Sequence, residues 1–332
     1  MLTILDQVGY ELDQVDCELD KLFDIILDGR HKSSYIMAMN KLPLAKRVQI
    51  LSMLCEGSCM RSVSRVCDVS INTVTKLLTD AGRFCLNFHD ERVHGLTCKR
   101  IQCDEIWSFC YTKAGNLPLA KNAPRDAGDV WTWTSIDADT KLICNWMVGE
   151  RDSAWANAFM QDLKWRLSNR VQLTTDGHRA YIEAVDTAFG EEIDYARLVK
   201  IYGAPKGNPA LRSASEICIG CDKKPETGNP DPAHISTSFV ERQNLTMRMS
   251  MKRFGRMTNA HSKKLINHRH AISLYFVFYN WTRIHKTLRV TPAIAAGISD
   301  HVWSMEEIIG LMDEVAPKPG RPKTYKKGIQ AA

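Results

Sequence analysis

Apolar residues follow a helical period through the first part of the chain. Their spacing predicts a helix beginning at Leu42 and interrupted at Gly57, then two shorter helices over 61–67 and 71–78. The three residues between the short helices predict a tight turn, with Ser70 as the N-cap of the second helix. Six apolar positions would form their shared core: Val63, Val66, Val69, Val74, Leu77 and Leu78. This pattern is typical of a helix-turn-helix unit.

The second of these short helices would present polar side chains to a partner. Short hydroxyl and amide groups with one cation suit base edges and phosphates in a DNA groove. The candidate DNA-binding residues here are Ser70, Asn72, Thr73, Thr75 and Lys76. The alternative is a small helical bundle that shows the same pattern without binding DNA.

From Lys99 the period changes to two, which indicates strands. Strands are predicted over 100–109, 130–136, 142–148 and 171–175, and helices over 153–167, 181–189, from about 236, and over 271–281. The segment 203–232 is rich in Gly, Pro, Asn and Ser and is predicted to form a loop. Strands and helices in this order predict an α/β fold with a mixed (α+β) sheet, preceded by the all-α helix-turn-helix domain.

The composition adds an expected location. The chain has 332 residues, of which 44% are hydrophobic and 25% charged, as in an ordinary globular protein. We find no apolar stretch near the roughly 20 residues of a membrane span, and no secretion signal at the N-terminus, so we expect no membrane partner and a cytoplasmic location.

Charge is distributed unevenly along the chain. Residues 1–28 contain eight acidic side chains and one Lys, whereas residues 242–289 contain eleven Lys and Arg and no Asp or Glu. A basic segment of this density favours a polyanionic partner, although a solvated helix face would look the same.

The eleven cysteines have irregular spacings, which favours reduced thiols over a disulfide framework. Only Cys218 and Cys221 have the spacing of metal ligands, and His234 is the nearest further candidate. A zinc site needs about four ligands, so we do not expect structural zinc.

Three acidic residues occupy unusual surroundings. Asp104 lies in the middle of an apolar predicted strand, Asp176 ends another strand and precedes Gly177, and Glu241 is the one acid at the start of the basic segment. A carboxylate in an apolar strand is costly unless a cation meets it. Carboxylates from two strands and a helix are what hard divalent cations require. The sequence therefore predicts a metal-dependent catalytic site at Asp104, Asp176 and Glu241, although each acid alone could be structural.

The motifs around these acids resemble those of bacterial DDE transposases, most closely the insertion-sequence-one type. They are Cys103 to Phe109, Thr174 to His178 with Tyr181, and Ser238 to Arg248, followed by Arg253 to Thr258, Phe278 to Leu288 and Thr291 to Ala293. The resemblance extends over roughly residues 39 to 297.

The resemblance implies a ribonuclease-H-like catalytic core that binds two Mg²⁺ or Mn²⁺ ions. Such an enzyme cleaves and joins double-stranded DNA at the terminal inverted repeats of an insertion sequence, as a dimer or larger assembly, in the bacterial cytoplasm near the nucleoid. The implied domains are an acidic extension (1–38), a helix-turn-helix domain (39–95), a catalytic domain (96–297, with an insertion at about 203–235) and a C-terminal helix with a basic tail (298–332).

Further DNA contacts are expected from cations after Glu241. Arg248 lies seven residues after Glu241, on the same helical face, and the resemblance implies that it contacts terminal DNA. The other candidates are Arg242, Lys252, Arg253, Arg256 and, within a Lys-flanked Gly-Arg-Pro of the tail, Arg321.

Two other functions fit the same sequence. One is a catalytically inactive or domesticated DNA-binding regulator of the same fold, and the other is a nuclease that hydrolyses DNA without joining it. His178, Tyr181 and Asn244 could support the site or could simply pack. Trp107, Trp131, Trp133 and Trp146 are expected in the core rather than as base-stacking surfaces.

Overall fold

Three helices precede the sheet in the computed structural model, which describes residues 41–203, 217–255 and 259–316. They are α1 (Leu44–Cys55), α2 (Met60–Val66) and α3 (Ile71–Arg92). The chain divides into two units, and nearly all described residues belong to Pro43–Glu314. Of the other unit, Met1–Leu42 with Val315–Ala332, only residues 41, 42, 315 and 316 are described, so the acidic extension and Arg321 lie outside the described residues.

The turn between α2 and α3 has the predicted N-cap. The Ser70 hydroxyl accepts a hydrogen bond from the backbone N–H of Thr73 at 3.1 Å. The expected core differs at two positions, because Val69 is half-buried and Val66 is 62% exposed, while Cys67, the residue after Val66, is buried. Helix α3 also continues to Arg92, fourteen residues beyond the predicted end at residue 78 (92 − 78 = 14).

The remaining elements build a six-stranded sheet with helices. In chain order they are β1 (Arg100–Cys110), β2 (Gly128–Asp137), β3 (Ile143–Gly149), α4 (Ser153–Arg166), β4 (Gln172–Thr175), α5 (Ala180–Phe189), β5 (Asp194–Gly203), β6 (Ile217–Thr227), α6 (Ser238–Ser250), α7 (Leu265–Val277), α8 (Pro292–Ala295) and α9 (Met305–Val315). A π-helical turn, Phe278–Thr282, extends α7. Among the described residues, no helix combines the length and apolar character needed to cross a membrane.

The sheet is mixed and has the order β3-β2-β1-β4-β5-β6. Strands β1, β4 and β5 are parallel neighbours, whereas the outer pairs β1/β2, β2/β3 and β5/β6 are antiparallel. This agrees with the predicted α/β class, and β1 to β4 lie close to their predicted positions. Strand β5 was not predicted, and the prediction of a loop over 203–232 is wrong for residues 217–227, which form β6.

Both faces of the sheet are covered by helices. On one face the fully buried Trp133 packs against Phe159 of α4 and Tyr181 of α5. On the other, Trp146 packs against Phe276 of α7. Of the four tryptophans expected in the core, Trp133 is buried, whereas Trp107, Trp131 and Trp146 are half-buried.

Helix α3 joins the N-terminal helices to this core by crossing α7 at very short range. A Cβ atom at Gly82 would lie 2.4 Å from both the Cβ and the carbonyl oxygen of His270. Only glycine allows the two backbones this approach. The crossing therefore fixes α3 against the helix that covers the sheet.

Candidate active site

The register of β1 and β4 brings two predicted acids together. The parallel pairing matches Cys103 with Thr175, the last residue of β4. The next residue on each strand is an acid, Asp104 on β1 and Asp176 after β4. One carboxylate oxygen from each of Asp104, Asp176 and Glu105 lies within 4.8 Å of the other two. We call these three residues the carboxylate cluster.

Glu105 is a member of the cluster that sequence reasoning missed. Strand alternation sends its side chain to the face opposite that of Asp104, which argues against a shared site. Its side chain is only 1% exposed, and its Oε2 accepts a hydrogen bond from Nε of Arg151 at 3.0 Å. Two adjacent acids inside a strand flanked by Cys103 and Ile106 were the signal that could have found it.

The cluster holds more negative charge than its surroundings compensate. Burial, and then the charge of Asp176, raise the pKa of Asp104 to about 6, with a smaller contribution from Glu241. Burial and Asp176 likewise raise the pKa of Glu105 to about 8. Arg151 bridges part of this charge, since its NH2 lies 3.5 Å from Oδ2 of Asp176. The half-exposed Arg151 guanidinium thus contacts both Asp176 and Glu105, and the pKa of Glu105 is raised despite this contact.

Glu241 approaches the cluster from the first turn of α6. The side chain of Gln102, two residues before Asp104, accepts hydrogen bonds from the backbone N–H groups of Phe239 at 2.8 Å and Val240 at 3.2 Å. These are unpaired donors of a helix start, so Gln102 fixes that start on β1. The Glu241 carboxylate accepts a hydrogen bond from the Thr237 hydroxyl and lies 2.7 Å from Nζ of Lys200.

Two of the three predicted acids, Asp104 and Asp176, therefore lie together in the carboxylate cluster. Glu241 lies outside the carboxylate cluster, although its charge acts on Asp104. Helix α6 does reach Asp104 through Asn244, whose Nδ2 donates to Asp104 Oδ2 at 2.8 Å. Asn244 was an open candidate for supporting the site, and the structure places it there.

The residues after Asp176 hold that carboxylate in place. The backbone N–H of His178 donates to Asp176 Oδ1 at 2.9 Å. The His178 ring packs beside Trp133 and Tyr181, and burial followed by the nearby Arg151 lowers its pKa. His178 therefore contributes its backbone to the site and its ring to packing.

The donor set fits a hard divalent cation. Carboxylate and amide oxygens are the ligands that Mg²⁺ and Mn²⁺ take. Within the part of the chain that the structure describes, Oδ1 of Asn244 is buried and has no hydrogen-bond partner, whereas the Glu105 carboxyl group lies against the buried Tyr181 hydroxyl. An unsatisfied buried acceptor beside carboxyl groups with raised pKa values is what a bound cation would compensate. Asp104, Glu105, Asp176 and Asn244 could hold it, and Glu241 lies nearby.

The candidate DNA-binding residues of the helix pair differ in their surroundings. Ser70 caps α3, and the Thr75 hydroxyl donates to the carbonyl of Ile71 at 2.8 Å. Lys76 is exposed and lies 2.6 Å from Asp80. Asn72 is exposed and Thr73 half-exposed. Among the candidate residues within α3, Asn72 and Lys76 are thus the most exposed to solvent.

The basic residues after Glu241 also divide into two groups. Arg242, Arg248 and Lys252 have exposed side chains. Arg253 is turned inward, because its guanidinium donates to Ser262 Oγ at 2.7 Å and burial lowers its pKa to about 10. Ser262 therefore holds the Arg253 guanidinium in this structure, and the expected DNA contact of Arg253 stays a prediction. Arg256 lies outside the described residues.

Comparison with known proteins gives distant structural similarities. No family model and no curated protein matches the chain. The chain is similar to the piggyBac transposase in a synaptic complex with hairpin DNA, with 9% identity and a TM-score of 0.34, over 87% of this chain and 74% of that one. It is also similar to a pre-cleavage Mos1 transpososome, with 10% identity and a TM-score of 0.18, over 53% of this chain and 66% of that one. At these TM-scores the similarities assign neither family nor function.

Proposed function

We propose that the protein is a DDE transposase, which cleaves DNA at the terminal inverted repeats of an insertion sequence and transfers the freed strand. The observation that carries the proposal is the carboxylate cluster at the end of β4, in which Glu105 is buried and Asp104 and Asp176 are half-buried, with Glu241 nearby on α6. Placing several acids together out of full contact with water is costly unless it serves a cation. The mixed sheet covered by helices is compatible with the ribonuclease-H-like core that the sequence resemblance implies.

The metal would be Mg²⁺ or Mn²⁺, held by Asp104 and Asp176, with Glu241 as the third acid. Bound there, a pair of such ions activates a water or a 3′-hydroxyl and stabilises the leaving oxygen of a phosphodiester. Glu105 adds a buried carboxylate to the cluster, and Asn244, which donates to Asp104, adds an oxygen without a hydrogen-bond partner.

The remaining residues of the site position these acids. Arg151 spans Glu105 and Asp176, so it limits the repulsion between their carboxyl groups. Lys200 holds the Glu241 carboxylate from β5, while Gln102 fixes the start of α6 on β1. Each contact ties one acid to an element of the sheet, which keeps the set preorganised.

The helix pair would recognise the element ends. Helix α3 presents Asn72 and Lys76 to the solvent, and the exposed Arg242, Arg248 and Lys252 would bind phosphates nearer the site. Because two ends must be joined, we propose that the protein acts as a dimer or larger assembly on double-stranded DNA.

The test is a cleavage and strand-transfer assay on labelled duplexes from the DNA that borders the gene, with Mg²⁺ or Ca²⁺. Asp104→Ala, Asp176→Ala and Glu241→Ala should each lower activity by about a hundredfold or more, since each removes charge from the metal-binding set. DNA binding should persist. The control Glu306→Ala changes an exposed acid of α9 and should remain active. Mn²⁺ titration calorimetry on the free protein should show weaker binding for the three variants.

Three outcomes separate the competing functions. Specific end binding without cleavage, and without Mn²⁺ binding, would favour the inactive regulator. Cleavage without joining would favour a nuclease of the same fold. Full activity in any of the three Ala variants would remove that acid from the proposed set.

A further inference from the structure

Two exposed cysteines lie together on β6, away from the buried thiols. Cys218 pairs across the sheet with Tyr202, and Cys221 pairs with Lys200. Residues three apart on a regular strand point to opposite faces. Here the register shifts between Ile201 and Tyr202, so that one extra residue of β6 is accommodated as a bulge. Because Lys200 and Tyr202 are two apart on β5, their partners Cys218 and Cys221 share one face.

The two thiols are close to each other. The Cys221 pKa is raised, first by desolvation and then by the side chain of Cys218, as expected of neighbouring thiols on one face. Cys218 also lies 3.3 Å from the carbonyl oxygen of Gly220. The bulge thus produces a vicinal dithiol from a spacing that would otherwise separate the two sulfur atoms.

Neither a metal site nor the protein core accounts for this dithiol. Within the described residues, no group of three metal ligands includes Cys218 or Cys221. His234, the further ligand considered from sequence, bonds to Arg100 instead, with 2.6 Å between Nδ1 and NH1. Seven other described cysteines are buried, and Cys59 is half-buried. Exposed thiols react with oxidants, whereas buried ones are inert.

We propose that Cys218 and Cys221 form a redox-active dithiol that a small-molecule disulfide converts to an intrachain disulfide. One thiolate attacks the small-molecule disulfide, forming a mixed disulfide and releasing one small thiol. The second thiolate then attacks the protein sulfur of the mixed disulfide, and the second small thiol leaves. Two protein thiols are oxidised and one disulfide is reduced to two thiols. The site does not depend on the proposed catalytic function.

The geometry favours the second step. The second step is intramolecular. Because the two sulfur atoms are held on one face, it should be fast enough that the mixed disulfide does not accumulate. The partners of two strand residues that are two apart are spaced by about 6.4–6.8 Å, which is the upper end of the Cα separation that a disulfide spans, roughly 4.4–6.8 Å.

The test uses the full chain, reduced, then incubated with oxidised glutathione under native conditions and quenched with N-ethylmaleimide. Trypsin releases residues 213–223, a peptide that contains Cys218 and Cys221 and no other cysteine. Mass spectrometry should find this peptide lighter by two hydrogen atoms than the dithiol form. Dithiothreitol should restore both alkylatable thiols.

Two variants test whether the shared face produced by the bulge is needed for the disulfide to form. Cys221→Ser should leave a stable glutathione adduct on Cys218. Cys221→Ser combined with Asp222→Cys moves the second thiol by one residue, to the opposite face of β6, while keeping two exposed cysteines. Its disulfide should form at least about tenfold more slowly than the wild-type one. Circular dichroism checks that the variants fold.

The proposal is overturned by any of three results. The wild-type peptide could keep two free thiols, or it could carry two glutathione adducts without closure. The relocated pair could also close as fast as the wild-type pair, which would show that flexibility and not the shared face brings the sulfur atoms together.

Discussion

Asp104 lies in surroundings that disfavour the charged form of its carboxyl group. Its raised pKa, about 6, arises from burial and from Asp176. The folded protein without metal therefore holds a group whose charged form would be more stable in water. Such groups are typical of sites selected for function rather than for stability.

Replacing Asp104 with Asn should stabilise the metal-free protein at pH 8 by on the order of 1–3 kcal/mol. A raised folded-state pKa contributes stability that is full below the ordinary value, about 4, and is lost as the pH rises through about 6. Asn does not titrate, so its free energy of unfolding should fall less over this range. Urea unfolding in EDTA at several pH values measures the difference.

Asp222→Asn is the matched control, because Asp222 is an exposed acid of β6. It should change the free energy of unfolding by less than about 0.5 kcal/mol. A wild-type stability that rises between about pH 4 and 6 relative to Asp104→Asn would contradict the assigned pKa direction.

Site residues could be predicted from the sequence where their immediate neighbours were unusual. They could not be predicted where their role depends on residues far away along the chain. An acid within an apolar strand marked Asp104, and a strand end before glycine marked Asp176. Glu105 was missed because alternation places it on the other face, while its longer side chain still reaches the cluster. Arg253 looked like its basic neighbours, and only the fold shows that Ser262 receives its guanidinium.

Among the elements, α6 depends on a side chain of β1 for its placement. Gln102 is 3% exposed and satisfies two backbone N–H groups at the helix start. Gln102→Met should leave both unsatisfied, at a cost of about 1–3 kcal/mol in the free energy of unfolding. Because α6 carries Glu241 and Asn244, Mn²⁺ binding measured by calorimetry should weaken as well.

Gln172→Met is the control for this prediction. Gln172 lies on the neighbouring strand β4 and bonds both the N–H and the carbonyl oxygen of Asp231, which is not part of α6. Its loss should affect stability but leave Mn²⁺ binding unchanged. Equal loss of Mn²⁺ binding in both variants would mean that Gln102 has no specific role in placing α6.

The N-cap of α3 gives a second prediction for an element. Ser70→Ala removes the acceptor for the Thr73 N–H and should lower the free energy of unfolding by about 1 kcal/mol, whereas Ser70→Thr keeps the hydroxyl and should retain most of it. Thermal unfolding of the two variants checks this. An Ala variant as stable as the Thr variant would show that the cap contributes nothing.

The absence of β6 from the sequence prediction has a physical cause. Strand β6 contains Gly220, Lys223, Lys224 and Pro225, a composition typical of loops. It is an edge strand, where proline and lysine are tolerated because one side needs no hydrogen bonds. Its hydrogen bonds come from β5, and local sequence does not encode that pairing. The strands with clear alternation, β1 to β4, were predictable for the opposite reason.

For the molecule as a whole, the crossing of α3 and α7 is the main connection between the N-terminal helices and the sheet. Gly82→Ala should force these backbones apart and lower the free energy of unfolding by about 1–3 kcal/mol or more. Gly310→Ala is the matched control, a helical glycine of α9 with open space around it. It should raise the free energy of unfolding by about 0.5–1 kcal/mol. Denaturant unfolding measures the change in the free energy of unfolding for each variant. A Gly82→Ala variant that is more stable than the wild type would contradict the close crossing.

The backbone N–H groups at the start of α6 donate hydrogen bonds to Gln102 of β1, so this helix start, and Glu241 with it, is attached directly to the sheet. The position of Glu241 relative to Asp104 is set by β1, about 140 residues earlier, and by Lys200 of β5, not by the length of the path between β5 and α6. Segments of different length can therefore be accommodated on that path, because the added loop entropy grows slowly with length. The stretch between the second and third acids is thus where this fold can gain or lose sequence, and with it new surfaces, while its chemistry stays in place.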